Sequence, residues 1–216
     1  MSHPIYQLAE TTPPGAEPLT LEEVKTFLRV EHDNDDDVVM GLISAARQFC
    51  EQATGRSLIT RGYSLYLDRW PDEPSGRSAW WDGVREGAAV PVTSAGLSLP
   101  RPPLLFVTRI NVYSIADVAT EISASDYFVD TAGTPGRVVL TGGAMPPVPG
   151  RVANGIEIQF KAGYGATPQS VPMLLRQGMK QVIAHLYAHR GDDAAHALAA
   201  SGAGAIFQPY RVRALS

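Results

Sequence analysis

Residues 18–61, PLTLEEVKTFLRVEHDNDDDVVMGLISAARQFCEQATGRSLITR, lay out two helices with their own start and stop signals and no reaction machinery. Thr20 followed by Glu23 is a Thr-x-x-Glu capping box. The Thr20 hydroxyl can accept from the Glu23 N–H, and the Glu23 carboxylate can reach back to the Thr20 N–H. Such a cap is worth roughly 1 kcal/mol. Leu21, Val24, Phe27 and Leu28 then recur at helical spacing and predict one buried stripe. A second helix is expected from Asn34, an N-cap type, with Asp35, Asp36 and Asp37 at the positive end of its dipole. Val38, Val39, Leu42, Ile43, Ala46, Phe49, Cys50 and Ala53 continue it at three- and four-residue intervals. Gly55 is the stop, and Leu58-Ile59 reads as the start of a strand, 58–67.

The acidic run fails as a calcium loop. Asp33, Asp35 and Asp37 fit its first three odd positions, but Val38 stands where glycine is needed and Ser44 where a bidentate Glu is needed. Helix-start electrostatics explain these carboxylates more simply. The whole chain, 216 residues with a net charge of −4, fits one large domain or two small ones and argues against non-specific duplex binding. Its single cysteine, Cys50, sits on an apolar helix face and reads as a buried core thiol. MSHPIYQLAE has no basic-then-apolar signal pattern, and no run is apolar enough to span a membrane.

Glycine and proline concentrate in residues 71–168, which marks a turn-rich β region between helical ends. Phe106–Ile115 is expected as a central strand. Asp126–Asp130 and Arg137–Leu140 form a hairpin pair, and Ile156–Lys161 alternates again. Five or six short antiparallel strands result, in a small sheet or sandwich. Trp80-Trp81 in the long 71–96 loop reads as a lid over the β core or a stacking surface for a partner, and Asp82-Gly83 as a hairpin tip. Gly163-x-Gly165 lacks the other parts of a phosphate loop and reads as a tight exit turn.

A third, longer helix begins with Pro172 at its first position and stops at Gly191. His185 and His189 have the spacing of a zinc-protease pair, but Leu186 stands where that motif has Glu, and His196 lies beyond the Gly191 break. The expectation is no metal, no cofactor and no catalytic residue; a small metal-dependent hydrolase using these histidines is the enzyme alternative. Residues 192–204 read as a flexible connection, and 205–216 as an apolar, aromatic and basic tail built to dock elsewhere. The alternative is that this tail folds back on its own domain.

The fold expected is therefore α+β: a three-helix core, 18–57 with 168–191, an inserted antiparallel β module, 58–167, an N-terminal arm, 1–17, and a linker with extended C-terminal tail, 192–216.

Several pieces in order give the chain a resemblance. They are Pro18–Lys25, Leu28–Asp33, Asp36-Asp37 with Leu42–Arg47, Glu51–Ile59, Leu67–Pro71, Leu99–Leu104, Phe160–Gly165, Val171-Pro172 and Pro209-Tyr210-Arg211. In these the chain resembles the head–tail connector (adaptor) family of long-tailed bacteriophages and related prophage or gene transfer agent particles. Residues 72–96 depart from that pattern as a longer, tryptophan-bearing insertion. The resemblance implies a structural adaptor in the virion neck, made in the host cytoplasm. It implies a ring of about a dozen copies under the portal protein, meeting a stopper or tail-completion protein and passing double-stranded DNA without sequence reading. It implies that Asp33, Asp35, Asp36 and Asp37 face the DNA tunnel and repel phosphates. It implies that Ile206, Phe207, Pro209, Tyr210, Arg211, Val212 and Arg213 bind the portal. Another neck component, a stopper or tail-completion protein, is the alternative within that class.

Overall fold

The computed structural model describes residues 6–70, 92–93, 96–141 and 147–212. Trp80, Trp81, the Asp82-Gly83 tip and Arg213 lie outside these described residues. The fold is mixed α+β with antiparallel sheets, and the described residues divide into a helical unit, residues 14–60 and 163–212, and a β unit, residues 6–13 and 61–162.

The helical unit opens with α1, Leu21–Leu28, and α2, Asp36–Thr54. Thr20 caps α1 by accepting from the Glu23 N–H at 3.2 Å. The expected reciprocal half of the box is not made, because the Glu23 carboxylate instead pairs with Arg176 and Lys180. Asp35, not Asn34, occupies the cap position of α2, and its side chain makes no cap hydrogen bond. Gly55 ends α2 at φ 72, as its left-handed tolerance predicts. Leu58 and Ile59 are not strand residues: both are almost fully buried in the helical core. The chain then leaves and re-enters this unit side by side, with Thr60 N–H donating to Gly165 O at 2.9 Å and Tyr164 N–H to Leu58 O at 3.1 Å. Gly163 permits this approach, since a Cβ there would lie 2.6 Å from the Thr60 backbone.

The long helix α3 spans Met173–Ala188, with Pro172 at its cap position. Two further helices follow where a flexible linker and extended tail were expected: α4, Ala194–Ala200, and α5, Ala203–Phe207. The three-helix core is thus a five-helix unit. The physical reason is apolar burial. Ala197, Ala203 and Phe207 are at most 1% exposed, and Leu198, Ile206 and Tyr210 pack at the edge of the same core. Alanine-rich sequence of high helix propensity, once tethered to a core it can cover, is helical and not a flexible joint. Gly178, in the middle of α3, provides the space: a Cβ there would lie 2.4 Å from the Phe207 ring.

In the β unit, β1, Tyr6–Thr12, pairs with β2, Arg61–Leu67. The expected N-terminal arm is therefore in part a sheet strand. Two short strands, β3 Val92–Thr93 and β4 Gly96–Ser98, precede β5, Leu104–Tyr113. Then come β6 Ala119–Glu121, β7 Tyr127–Asp130, β8 Arg137–Leu140 and β9 Ile156–Ala162. They make a five-stranded sheet, β1-β2-β9-β5-β6, and a four-stranded sheet, β3-β4-β8-β7. The β7–β8 hairpin is the expected pair. The central strand is β9; β5, expected there, lies one place from the edge and carries two register shifts.

Alternation along the strands sorts the two faces. Leu8, Leu65, Ile158 and Ile110 form one continuous cross-strand row. With Leu67, Ile156 and Phe160 they meet Leu97 and Val138 of the smaller sheet, and Leu99 just after β4, in one core. The next row, Tyr66–Glu157–Asn111, carries a polar cluster. Glu157 is 6% exposed. It accepts from Ser64 Oγ at 3.0 Å, Tyr66 Oη at 3.2 Å, Asn111 Nδ2 at 3.2 Å, Tyr113 Oη at 2.9 Å and Gln159 Nε2 at 2.9 Å. Burial opposes its ionisation, but the hydrogen bonds from Gln159, Tyr113, Asn111 and Ser64 outweigh this and hold its pKa at about 2.

Two outcomes follow. Gly178→Ala raises intrinsic helix propensity by about 1 kcal/mol, yet it should lower stability by about 1–3 kcal/mol because Phe207 must be displaced; urea unfolding reads the sign. Glu157→Gln should lower stability at pH 7. The folded carboxylate is more acidic than its ordinary value of 4.5. Its contribution is therefore present above 4.5 and lost as pH falls toward about 2. The deficit of the variant should shrink over that range; a deficit independent of pH would contradict the role given to the charge.

Candidate functional site

The C-terminal segment after α3 is the first candidate. Phe207, expected at the portal, is an internal anchor at 1% exposure. Ile206 and Tyr210 are half-buried, while Pro209 and Arg211 are exposed. Two pieces of the N-terminal pattern hold this segment. Arg56 Nε donates to the Tyr210 carbonyl, and Val212 N–H donates to Thr54 O at 2.8 Å. Gly55 makes that geometry available by turning the chain just after α2. Tyr164 lies at the same place, with burial pushing its phenol pKa up despite the nearby Arg56. The segment thus presents an exposed polar edge, Gln208, Pro209 and Arg211, on a buried aromatic root.

The acidic run is the second. Lys25 Nζ lies 2.6 Å from Asp33 and 2.7 Å from Asp36, so α1 and the start of α2 share one cation. The hydrogen bond from Lys25 lowers the Asp33 pKa, and the same bond raises that of Lys25. Asp35 accepts from Tyr187 Oη on α3, and that bond raises the phenol pKa. Asp37 is exposed. Asp33, Asp35 and Asp36 therefore have partners on α1 and α3, although the Asp33 side chain stays exposed. A neighbouring polar network, Arg47 with Glu17 at 2.8 Å and Glu51 at 3.4 Å, ties the segment before α1 to α2. Its one sign in the sequence is the i,i+4 spacing of Arg47 and Glu51.

The third is the histidine group. His185 and His189 stack, with ring centroids 4.5 Å apart, and His189 Nδ1 sits 3.1 Å from the His185 carbonyl. The partner of His185 Nε2 is Asp192 Oδ2 at 2.7 Å, and His196 Nε2 lies 3.6 Å from the same oxygen. The turn at 189–193 brings these together across the break at Gly191. The hydrogen bond from His185 lowers the Asp192 pKa. Cys50 is fully buried, and burial pushes its thiol pKa far up, which makes it a core side chain and not a nucleophile. Glu157, with a pKa near 2 and every near donor directed at it, is poorly matched to acid–base work at neutral pH. Polar residues alternating in three strands, Ser64/Tyr66, Asn111/Tyr113 and Glu157/Gln159, were the available sign of that cluster.

Apolar side chains stay exposed in both units. In the helical unit they include Phe27, Val38, Met40, Met173 and Leu174; in the β unit, Phe106, Ile115, Phe128 and Val152. No helix among the described residues is long and apolar enough to cross a membrane.

No curated protein sequence matches the chain. Three solved structures are similar over 97% of this chain and 97% of theirs. One is the virion of a native gene transfer agent particle, at 23% identity and a TM-score of 0.72. The second is the neck of an empty particle of this kind, computed with C6 symmetry, at 24% identity and a TM-score of 0.71. The third is the neck of a native particle computed with C12 symmetry, at 23% identity and a TM-score of 0.61. These likenesses establish the fold. Residues 18–79, the stretch that carries α1, α2 and β2, match the Phage gp6-like head-tail connector protein family, so the resemblance to head–tail connectors read from the sequence is shown there.

Proposed function

We propose that this protein is a structural adaptor of a phage-type head–tail neck. Copies close into a ring of about twelve beneath the portal protein, through head-to-tail contacts that return on themselves by rotation. The ring joins the head to the stopper or tail-completion protein and lets double-stranded DNA through. The role is architectural and breaks no bonds.

The observation that carries this reading is the coincidence of two matches. The connector family match falls on the α1–α2 segment, and 97% of the chain shares its fold with structures of particle necks computed with rotational symmetry. The exposed apolar side chains of α1, α2 and α3 are the material for contacts between copies. On this reading the acidic corner, Asp33, Asp35, Asp36 and Asp37, borders the DNA path. Its carboxylates repel phosphate and keep DNA from being held.

The portal contact belongs to the distal part of the tail. Phe207 is occupied in the helical core, and Ile206 and Tyr210 support it. Pro209, Arg211, Val212 and the following Arg213 remain as the docking segment. A truncation after Tyr210 separates the two roles. The shortened protein should lose no more than about 1–3 kcal/mol of stability, since among the described residues it gives up two backbone hydrogen bonds, Val212 N–H to Thr54 O and Arg211 N–H to Gln208 O. It should fail to sediment with DNA-filled, portal-bearing heads. Normal joining by the truncated protein would remove the tail from the portal contact, and its recovery at a position away from the neck would remove the adaptor role.

A further inference from the structure

We propose that His185, Asp192 and His196 form a binding site for a divalent transition cation of the zinc class, which braces the start of α4 against the end of α3. Their ligand atoms all lie within 4.8 Å of one another. His185 Nε2 is 2.7 Å and His196 Nε2 3.6 Å from Asp192 Oδ2. Three ligands at about 2.0–2.1 Å from a tetrahedral zinc sit roughly 3.3 Å apart. A small opening of the first contact, a small closing of the second and an approach of the two imidazole nitrogens from within 4.8 Å reach that geometry.

The donor set is selective. Two imidazoles and one carboxylate suit zinc, nickel or copper, whereas calcium and magnesium need mostly oxygen. The scaffold is also suited. The His185 side chain is 13% exposed on a 16-residue helix, so one ligand is fixed. The His196 side chain is 64% exposed, so the other can adjust. Asp192 lies in the turn between them, just before Asp193 caps α4 by accepting from His196 N–H at 2.8 Å. No ligand atom of His189 belongs to this group. Its ring is stacked on His185 and its Nδ1 lies 3.1 Å from the His185 carbonyl. The pair with zinc-protease spacing in the sequence is therefore not the pair that converges in space.

Occupancy would pin the chain where it turns back after Gly191, at the root of the segment that ends in Phe207. The site is independent of the adaptor role, and its test does not involve particles. Full-length protein without a polyhistidine tag is titrated with Zn2+ alone in a non-chelating buffer by calorimetry. The expected result is saturable binding of one equivalent, weakened more than about tenfold by His196→Ala and by Asp192→Asn, and unchanged by His189→Ala. Zn2+ should also raise the thermal midpoint of the wild type but not of His196→Ala, whose exposed position leaves the fold intact by circular dichroism. Absence of saturable binding overturns the proposal. So does binding that survives His196→Ala, or binding lost in His189→Ala.

Discussion

The fit of the Phe207 ring against the bare backbone of Gly178 decides how the helical unit closes. A glycine in the middle of α3 sacrifices about 1 kcal/mol of helix propensity relative to alanine. In return an aromatic ring approaches the helix axis more closely than any Cβ would allow. Burying that ring is worth about 1.5–3 kcal/mol. That gain holds α5 down, and α5 in turn brings Tyr210 and Val212 to the end of α2, where Arg56 and Thr54 bind their backbone. Thr54-Gly55-Arg56 and Pro209-Tyr210-Arg211, at opposite ends of the sequence pattern, are thus one structural feature.

The same economy governs the acidic corner. Helix α2 starts without a side-chain cap, so its first turn relies on charge. Lys25 and Tyr187 then fasten that turn to α1 and α3. Carboxylates engaged in this way are held in position against α1 and α3. In the β unit, a buried carboxylate with five donors stands one row away from an aliphatic ladder. Both features spend polar groups on fixing geometry, and neither offers a reactive atom.

How far the sequence could be read depends on the range of each signal. Local signals were sufficient for α1, α2 and their glycine stop, for the β7–β8 hairpin and for β9. They misplaced Leu58 and Ile59, because a short apolar run has no period and only the tertiary core decides its destination. They missed β1, whose residues are mostly exposed and pair with a strand that begins at Arg61. They misread residues 192–210 as a linker and tail, since small residues look unpatterned until Gly178 supplies the surface they cover. The histidine site was hidden for a related reason. Its members straddle Gly191, and the regular i,i+4 spacing of His185 and His189 drew the reading toward the wrong pair.

Within the helical unit a line falls at Tyr210: Phe207 is buried in the core and Tyr210 packs at its edge, whereas Val212 is joined to the end of α2 by its backbone. Amide hydrogen exchange on the isolated protein tests that division most directly. The account predicts that α4 and α5 exchange with protection in the range of α3. Exchange of residues 194–210 at the rate of an unstructured chain, beside a protected α3, would contradict it.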